Sequence, residues 1–324
     1  MKRIIGIGNA LVDVLIKLEN DTFLKEQNLP KGSMQLIDKE IAAKLMLATQ
    51  KIKPQLTSGG SASNTIHGLA KLGSQTSYIG KIGNDEFGKI FTTDLRNNKI
   101  TPSLLQSTNE TGRALTFISP DSERTFATYL GAAVELSAAD LTPAQFESYE
   151  LLHLEGYLVF NHELVEKAIK LAKSKGLHVS IDLASYNVVD VNREFLLKTI
   201  KESVDIVFAN EEEAKSLTGE SPEKALQIIS EMCDIAVVKV GSKGSLAKRG
   251  NDKVRVDAIK AKAIDTTGAG DLYASGFLFG LSQGWNLGKC AKLGSITAGK
   301  VVETIGAKIS QPEWDEINKS IHAL

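Results

Sequence analysis

The run Asp265-Thr266-Thr267-Gly268-Ala269-Gly270-Asp271 combines a glycine-rich turn with two carboxylates. Leu272, Ala274, Phe277, Leu278 and Leu281 follow at helical spacing, so the turn opens a helix. The first amides of a helix lack internal acceptors, and the positive end of its dipole points the same way. Glycines let an anion approach the backbone closely. Gly268, Ala269 and Gly270 are therefore suited to hold a phosphoryl group while charge develops on it. Asp271, on the first turn, is placed to take a proton from an incoming hydroxyl. A plain helix cap would use the same residue types.

Other segments carry related chemistry. Gly59-Gly60-Ser61-Ala62-Ser63-Asn64 opens a helix marked by Ala62, Ile66, Leu69 and Ala70 and stopped at Gly73. Asn210-Glu211-Glu212-Glu213 follows a short apolar strand, as does Lys239-Val240-Gly241-Ser242-Lys243-Gly244. Ligands sit at the carboxyl ends of strands in open α/β sheets. Asn9 and Asp13 flank the end of the first strand, and a carboxylate there suits the paired hydroxyls of a ribose or polyol. No Walker A sequence occurs. Gly6-Ile7-Gly8-Asn9-Ala10-Leu11 has leucine where a dinucleotide fingerprint needs its third glycine.

The elements that must position these residues follow from periodicity. Ile4 to Ile7 reads as a strand ended by Gly8-Asn9, and Asp13–Leu18, Lys31–Asp38 and Thr76–Ile82 read as extended. Ser61–Leu72 is helical. Arg113–Ile118 and Arg124–Tyr129 form a hairpin about Pro120-Asp121-Ser122-Glu123. Beyond residue 150, apolar strands at Leu151–Leu154, Val179–Ile181, Ile206–Ala209 and Ile235–Val240 alternate with single helices. Those helices lie near Glu163–Lys175, Arg193–Ser203 and Pro222–Met232. This rhythm predicts βαβ units and a doubly wound, mostly parallel α/β sheet with helices on both faces. The early strands, near 10–38 and 111–130, are expected to make a small β lid on a single domain spanning 1–324.

A net charge of −1 gives no long-range pull toward nucleic acid or anionic membrane. Two cysteines, Cys233 and Cys290, lack zinc spacing and are too few for a disulfide framework. Free thiols and a cytoplasmic location are the expectation. No stretch approaches the roughly 20 apolar residues of a membrane helix, and the N-terminus lacks a signal-peptide core.

Asp265–Asp271 resembles the C-terminal motif of the ribokinase-like (PfkB) kinases. Gly59–Asn64 is similar to that family's Gly-Gly-x-x-x-Asn motif, in the same order and about 200 residues away. The resemblance covers essentially the whole chain and implies a ribokinase-like fold and ATP-dependent phosphorylation of a primary hydroxyl. It implies Asp271 as base and Gly268, Ala269 and Gly270 as anion hole. Asn9, Asp13, Gly60, Ser61, Asn64 and Glu155 would hold the acceptor, and Asn210, Lys239, Gly241 and Gly244 the nucleotide. Asn210–Glu213 resembles the motif that organises Mg²⁺, with Glu213 acting through water. Asp265, Thr267, Gly306 and Ser310 match positions of a K⁺ site found in many relatives.

The first strand and the long insert Leu18–Lys53 resemble adenosine-kinase-like members, which favours a nucleoside such as adenosine. Leu152-His153-Leu154-Glu155 instead resembles the ribokinase strand near the sugar, which leaves a sugar or sugar phosphate as the alternative. Tyr157 and Met34 would either cover a purine or pack in the core and lid. A fold that had lost its activity would be expected to have lost part of the Asp271 turn. The partners implied are ATP and a small acceptor, for a monomer or homodimer.

Overall fold

The computed structural model describes residues 3–52, 54–121, 123–321 and 324. Ser122, in the expected hairpin turn, and Lys53 lie outside the described residues. The chain begins with β1 (Arg3–Ile7), β2 (Leu11–Lys17), α1 (Thr22–Glu26) and β3 (Met34–Leu36). Next come α2 (Lys39–Ala48), β4 (Gln55–Gly59), α3 (Ser61–Lys71), β5 (Gln75–Gly83) and α4 (Glu86–Asn97). β6 (Ile100–Ser107), β7 (Gly112–Ile118) and β8 (Arg124–Tyr129) follow. The next stretch holds β9 (Leu151–Glu155), α5 (His162–Ser174), β10 (His178–Asp182), α6 (Tyr186–Ser203) and β11 (Ile206–Asn210). Then come α7 (Glu211–Thr218), α8 (Pro222–Ser230), β12 (Ile235–Lys239), β13 (Ser245–Arg249) and β14 (Asp252–Val256). α9 (Ala269–Ser282), α10 (Leu287–Val301) and α11 (Gln311–Ile321) end it.

Nine strands form the main sheet in the order β14-β13-β12-β11-β10-β9-β1-β5-β6. It is parallel from β12 to β6, and β13 and β14 extend it antiparallel. Strands β9 to β12 are apolar and almost wholly buried, as expected of strands covered on both faces. One core layer takes Ile5, Ile7 and Val179; the other takes Ile4, Phe208 and Phe277. Each such side chain contributes about 1.5–3 kcal/mol when fully buried. From β1 the chain winds outward through β5 and β6, then returns to β9 on the other side of β1. That reversal makes the carboxyl ends of β1 and β9 a natural ligand crevice.

A second sheet has the order β3-β8-β7-β2-β4. Val14, Ile16, Leu115, Phe117 and Ala127 on one face pack with Leu24, Leu29 and Leu45. Directly paired residues share a face. The register therefore puts Asp13, Ala114, Thr128 and Leu36 in one row of the opposite face. Leu15, Thr116, Phe126 and Met34 form the next.

Several expectations need correction. The second sheet takes β2, β3, β7 and β8 from the expected lid segments and adds β4, while β1, β5 and β6 lie in the main sheet. The second sheet is mixed, since β2 pairs β7 and β3 pairs β8 in parallel. The expected strand Lys31–Asp38 shrinks to Met34–Leu36. A turn at Pro30–Ser33 precedes it, and Asp38 instead caps α2 by accepting from the Ile41 amide at 2.8 Å. Two helices, not one, lie between β11 and β12. Gly219, at φ +80°, ends α7, and Pro222 starts α8.

Candidate active site

Two helix starts are brought together at Asp271. Gly60 has φ +91°, and a Cβ there would lie 2.3 Å from the Asn9 carbonyl oxygen. Only glycine fits, and it aims the first turn of α3 inward. Ser61 Oγ donates to Asp271 Oδ1 at 2.7 Å and Asn64 Nδ2 to Oδ2 at 3.0 Å. Thr65 Oγ1 donates to the Asp271 carbonyl at 3.2 Å. Gly68 lets the helices pack closely, since a Cβ on it would lie 2.4 Å from Ser275 Oγ. Burial raises the Asp271 pKa to about 6, against the Ser61 and Asn64 bonds. Asn64 Oδ1 is buried with no partner among the described residues.

Gly268 is left-handed, at φ +75°, and a Cβ on it would strike Ala307. The Ala269 amide donates back to the Thr266 carbonyl at 3.1 Å. The Gly268 and Gly270 amides have no acceptor among the described residues. Of the three expected anion-hole amides, these two are the ones left open.

The neighbouring strands end in polar residues. Glu155 ends β9 and is buried. It accepts from the Asn9 amide at 3.3 Å, Asn9 Nδ2 at 2.8 Å and the Ala62 amide at 3.1 Å. These bonds tie the end of β1 to the start of α3. Burial lifts its pKa to about 7 despite them. Asp182 ends β10, Asn210 ends β11 and Lys239 ends β12. Asn210 and Glu213 form a reciprocal cap: Oδ1 accepts from the Glu213 amide, and Glu213 accepts from the Asn210 amide and Nδ2. Burial raises Glu213 to about 7, with Lys239 opposing and Asp182 adding. Gly241 and Gly244 shape the turn from β12 to β13, and a Cβ on Gly244 would lie 1.9 Å from the Val256 carbonyl oxygen.

Asp13 reaches the site from the second sheet, packed against Gly59. Its carboxylate has no hydrogen bond from the described residues. Burial pushes its pKa to about 6, while Lys308 opposes and Asp271 adds. Arg124, on the same face, pairs with Asp265 at 2.8 Å, both side chains buried. Its Nε and Nη1 have no partner among the described residues. Asp265 also accepts from the Thr267 amide at 2.9 Å and the Gly306 amide at 2.6 Å. Ser310 has other work: its amide and hydroxyl donate to Glu313, and its carbonyl accepts from Trp314, at the start of α11.

Sequence reasoning missed Asp182, Arg124 and Lys308. Asp182 had a signal, being the polar residue directly after the apolar run Val179–Ile181, in the place Glu155 and Asn210 occupy on their strands.

Residues 33–314 match the model of the pfkB family carbohydrate kinases. The chain belongs to that family. A nucleoside kinase of Methanocaldococcus jannaschii is 32% identical over 80% of this chain and 83% of its own. A 5-dehydro-2-deoxygluconokinase of Bacillus licheniformis is 30% identical over 82% of this chain and 86% of its own. The solved adenosine kinase of Sinorhizobium meliloti is 35% identical, with a TM-score of 0.87 over 98% of this chain and 99% of its own. The chain is thus a phosphotransferase acting on a sugar or nucleoside hydroxyl, with the ribokinase-like fold. Cys233 and Cys290 are free, and no helix of the described residues is long and apolar enough to cross a membrane.

Among the described residues no three His, Cys, Asp or Glu side chains converge to hold a metal directly. Glu213 is a buried carboxylate in the first turn of α7, just past the end of β11. That suits an Mg²⁺ held chiefly by phosphate and water, which is how this ion prefers to bind.

Proposed function

We propose that this kinase transfers the γ-phosphoryl group of ATP to the 5′-hydroxyl of a nucleoside, adenosine first, giving AMP and ADP. The observation that carries the acceptor choice is the register of the second sheet. Asp13 shares its face with Leu36 and Met34, which are 66% and 55% exposed. Half-buried Phe126 lies between. A ribose held by its hydroxyls at Asp13 and Asn64 would carry its base along this apolar surface. A free sugar would leave it bare. The likeness to the nucleoside kinase and the adenosine kinase supports the same choice.

In this reading Asn9, Asp13, Gly60, Ser61 and Asn64 hold the acceptor, and Glu155 fixes Asn9 and Ala62 in place. Asp271 takes the proton of the attacking hydroxyl as the new P–O bond forms and ADP departs. Gly268 and Gly270 amides receive the developing charge, and Arg124, held by Asp265, offers its open donors to the same phosphate. Asn210, Lys239 and the turn Gly241–Gly244 hold the nucleotide. Glu213 would hold Mg²⁺ through water, and that ion supplies neutralisation of the phosphate charge. Closure of the second sheet over the site would exclude water and limit hydrolysis of ATP.

The sugar kinase alternative draws on the 5-dehydro-2-deoxygluconokinase likeness. A Mg-ATP turnover screen over nucleosides, sugars and sugar phosphates separates the two. Adenosine should be the best acceptor. Phosphorylation of a sugar with none of adenosine would overturn the choice.

A further inference from the structure

Lys239 and Asp182 sit two strands apart, since β11 lies between β12 and β10. At strand spacing, the two strands are about 10 Å apart. The lysine stem crosses that gap, and Nζ reaches Asp182 Oδ2 at 2.6 Å. The side chains are 14% and 6% exposed. The crossing brings the ammonium against the anion-hole turn: a Cβ added to Gly270 would lie 3.0 Å from Lys239 Nζ. The other Asp182 oxygen, Oδ1, accepts from the Ala184 amide at 3.1 Å. Ala184 is left-handed, at φ +66°, a conformation uncommon for residues with a Cβ. The carboxylate is therefore held from its own loop as well as by the lysine.

An ammonium has three donors. One is committed to Asp182, which leaves two for an anion lying beside Gly268 and Gly270. Burial works against the Lys239 charge, but Asp182, Glu213 and Asp271 outweigh it and hold its pKa above the ordinary lysine value. A charged donor thus stands against Gly270, in the turn whose Gly268 and Gly270 amides are open.

We infer that Lys239 is a catalytic cation of phosphoryl transfer and that Asp182 is the positioning residue that aims it at the transferring group. Lys239 is more than a ground-state contact to ATP. This inference rests on the phosphotransfer reading and assigns a division of labour within it. The cation matters most when the γ-phosphoryl group is between donor and acceptor.

The test is a kinetic double-mutant cycle with Lys239→Met, Asp182→Asn and the double variant. Lys239→Met should lower kcat about 10²–10³-fold, the usual loss for one such donor. Its affinity for ADP should fall by far less than kcat does. Asp182→Asn should lower kcat about 10- to 100-fold in the parent, as a misplaced group does. In the Lys239→Met background it should lower it no further. The double variant carries no lone buried charge, so it guards against misfolding of the single one. Near-parent kcat in the double variant would overturn the inference. So would an equal Asp182→Asn loss in both backgrounds, which marks a structural role. A loss in ADP affinity as large as the loss in kcat would also overturn it, marking simple nucleotide binding. A parent protein without turnover on any acceptor would fell the phosphotransfer reading and this inference with it. An active parent with an active double variant would fell this inference alone.

Discussion

The Asn64 side-chain amide donates to Asp271 Oδ2 at 3.0 Å, joining the first turns of two helices whose contact residues are 207 positions apart. This bond favours the charged form of a carboxylate that burial otherwise drives toward the neutral one. Asn64→Ala should therefore raise the Asp271 pKa beyond its present value of about 6. The acid limb of the kcat profile should move to higher pH, while turnover above pH 8 falls less. An unmoved acid limb, measured from pH 5 to 9, would show that Asp271 is not the group that titrates.

Asp271→Asn should reduce turnover by about 10³-fold or more while acceptor and ADP binding persist, measurable by a coupled assay and calorimetry. Near-normal turnover would remove Asp271 as base. The same variant should be more stable at pH 7.5. An acid whose folded pKa lies above its unfolded value of 3.8 binds its proton more tightly in the folded chain. Folding stability therefore rises as pH falls through about 6 and levels off below the unfolded value. Asp13, Glu155 and Glu213 are raised in the same direction. The ligand-free protein should melt higher at pH 5.5 than at pH 7.5. Asp271→Asn should reduce that difference and gain ~1–2 kcal/mol at pH 7.5.

Much of this site was legible because its signals are local. Gly60 and Gly268 are required by positive φ, and Asn210 with Glu213 is a cap pattern three residues long. The doubly wound sheet was legible from β9 to β12 because strands buried on both faces are continuously apolar. β6 escaped because Pro102 interrupts it, and it tolerates that proline as the last strand of the main sheet. β4 escaped because its sequence, Gln-Leu-Thr-Ser-Gly, is mostly polar. Asp182 and Arg124 act through partners 57 and 141 positions away, Lys239 and Asp265. Those pairings arise only when strands from distant parts of the chain are assembled. The short range of propensity and capping gives no access to them.

Arg124 is fixed by Asp265 through one nitrogen, with two others buried and open. Such donors are costly unless a ligand completes them. Arg124→Met should lower kcat about 10²–10³-fold. Asp265 would keep its bonds from Thr267 and Gly306, so the turn should survive. Arg124→Lys should rescue only in part, because an ammonium lacks the planar fork. If Arg124→Met turns over like the parent in steady-state assays, the open nitrogens serve some other group.

Leu36 shares a cross-strand row with Asp13, so under the proposed nucleoside reading the two would report on opposite ends of one acceptor. Asp13→Ala should weaken acceptor binding about 10- to 100-fold by calorimetry, for nucleoside and sugar alike, since it removes a charged hydrogen-bond partner of the hydroxyls. Leu36→Ser should discriminate. It removes apolar surface against which only a base would lie, so it should raise KM for adenosine about 5- to 30-fold, about 1–2 kcal/mol of lost contact. Any residual turnover of free ribose should keep its KM. Met34→Ser should act in the same sense. The substitutions leave the packed face of the sheet intact, because Val14, Leu115 and Ala127 lie on the other side. Equal KM effects on both acceptors would detach this surface from base binding.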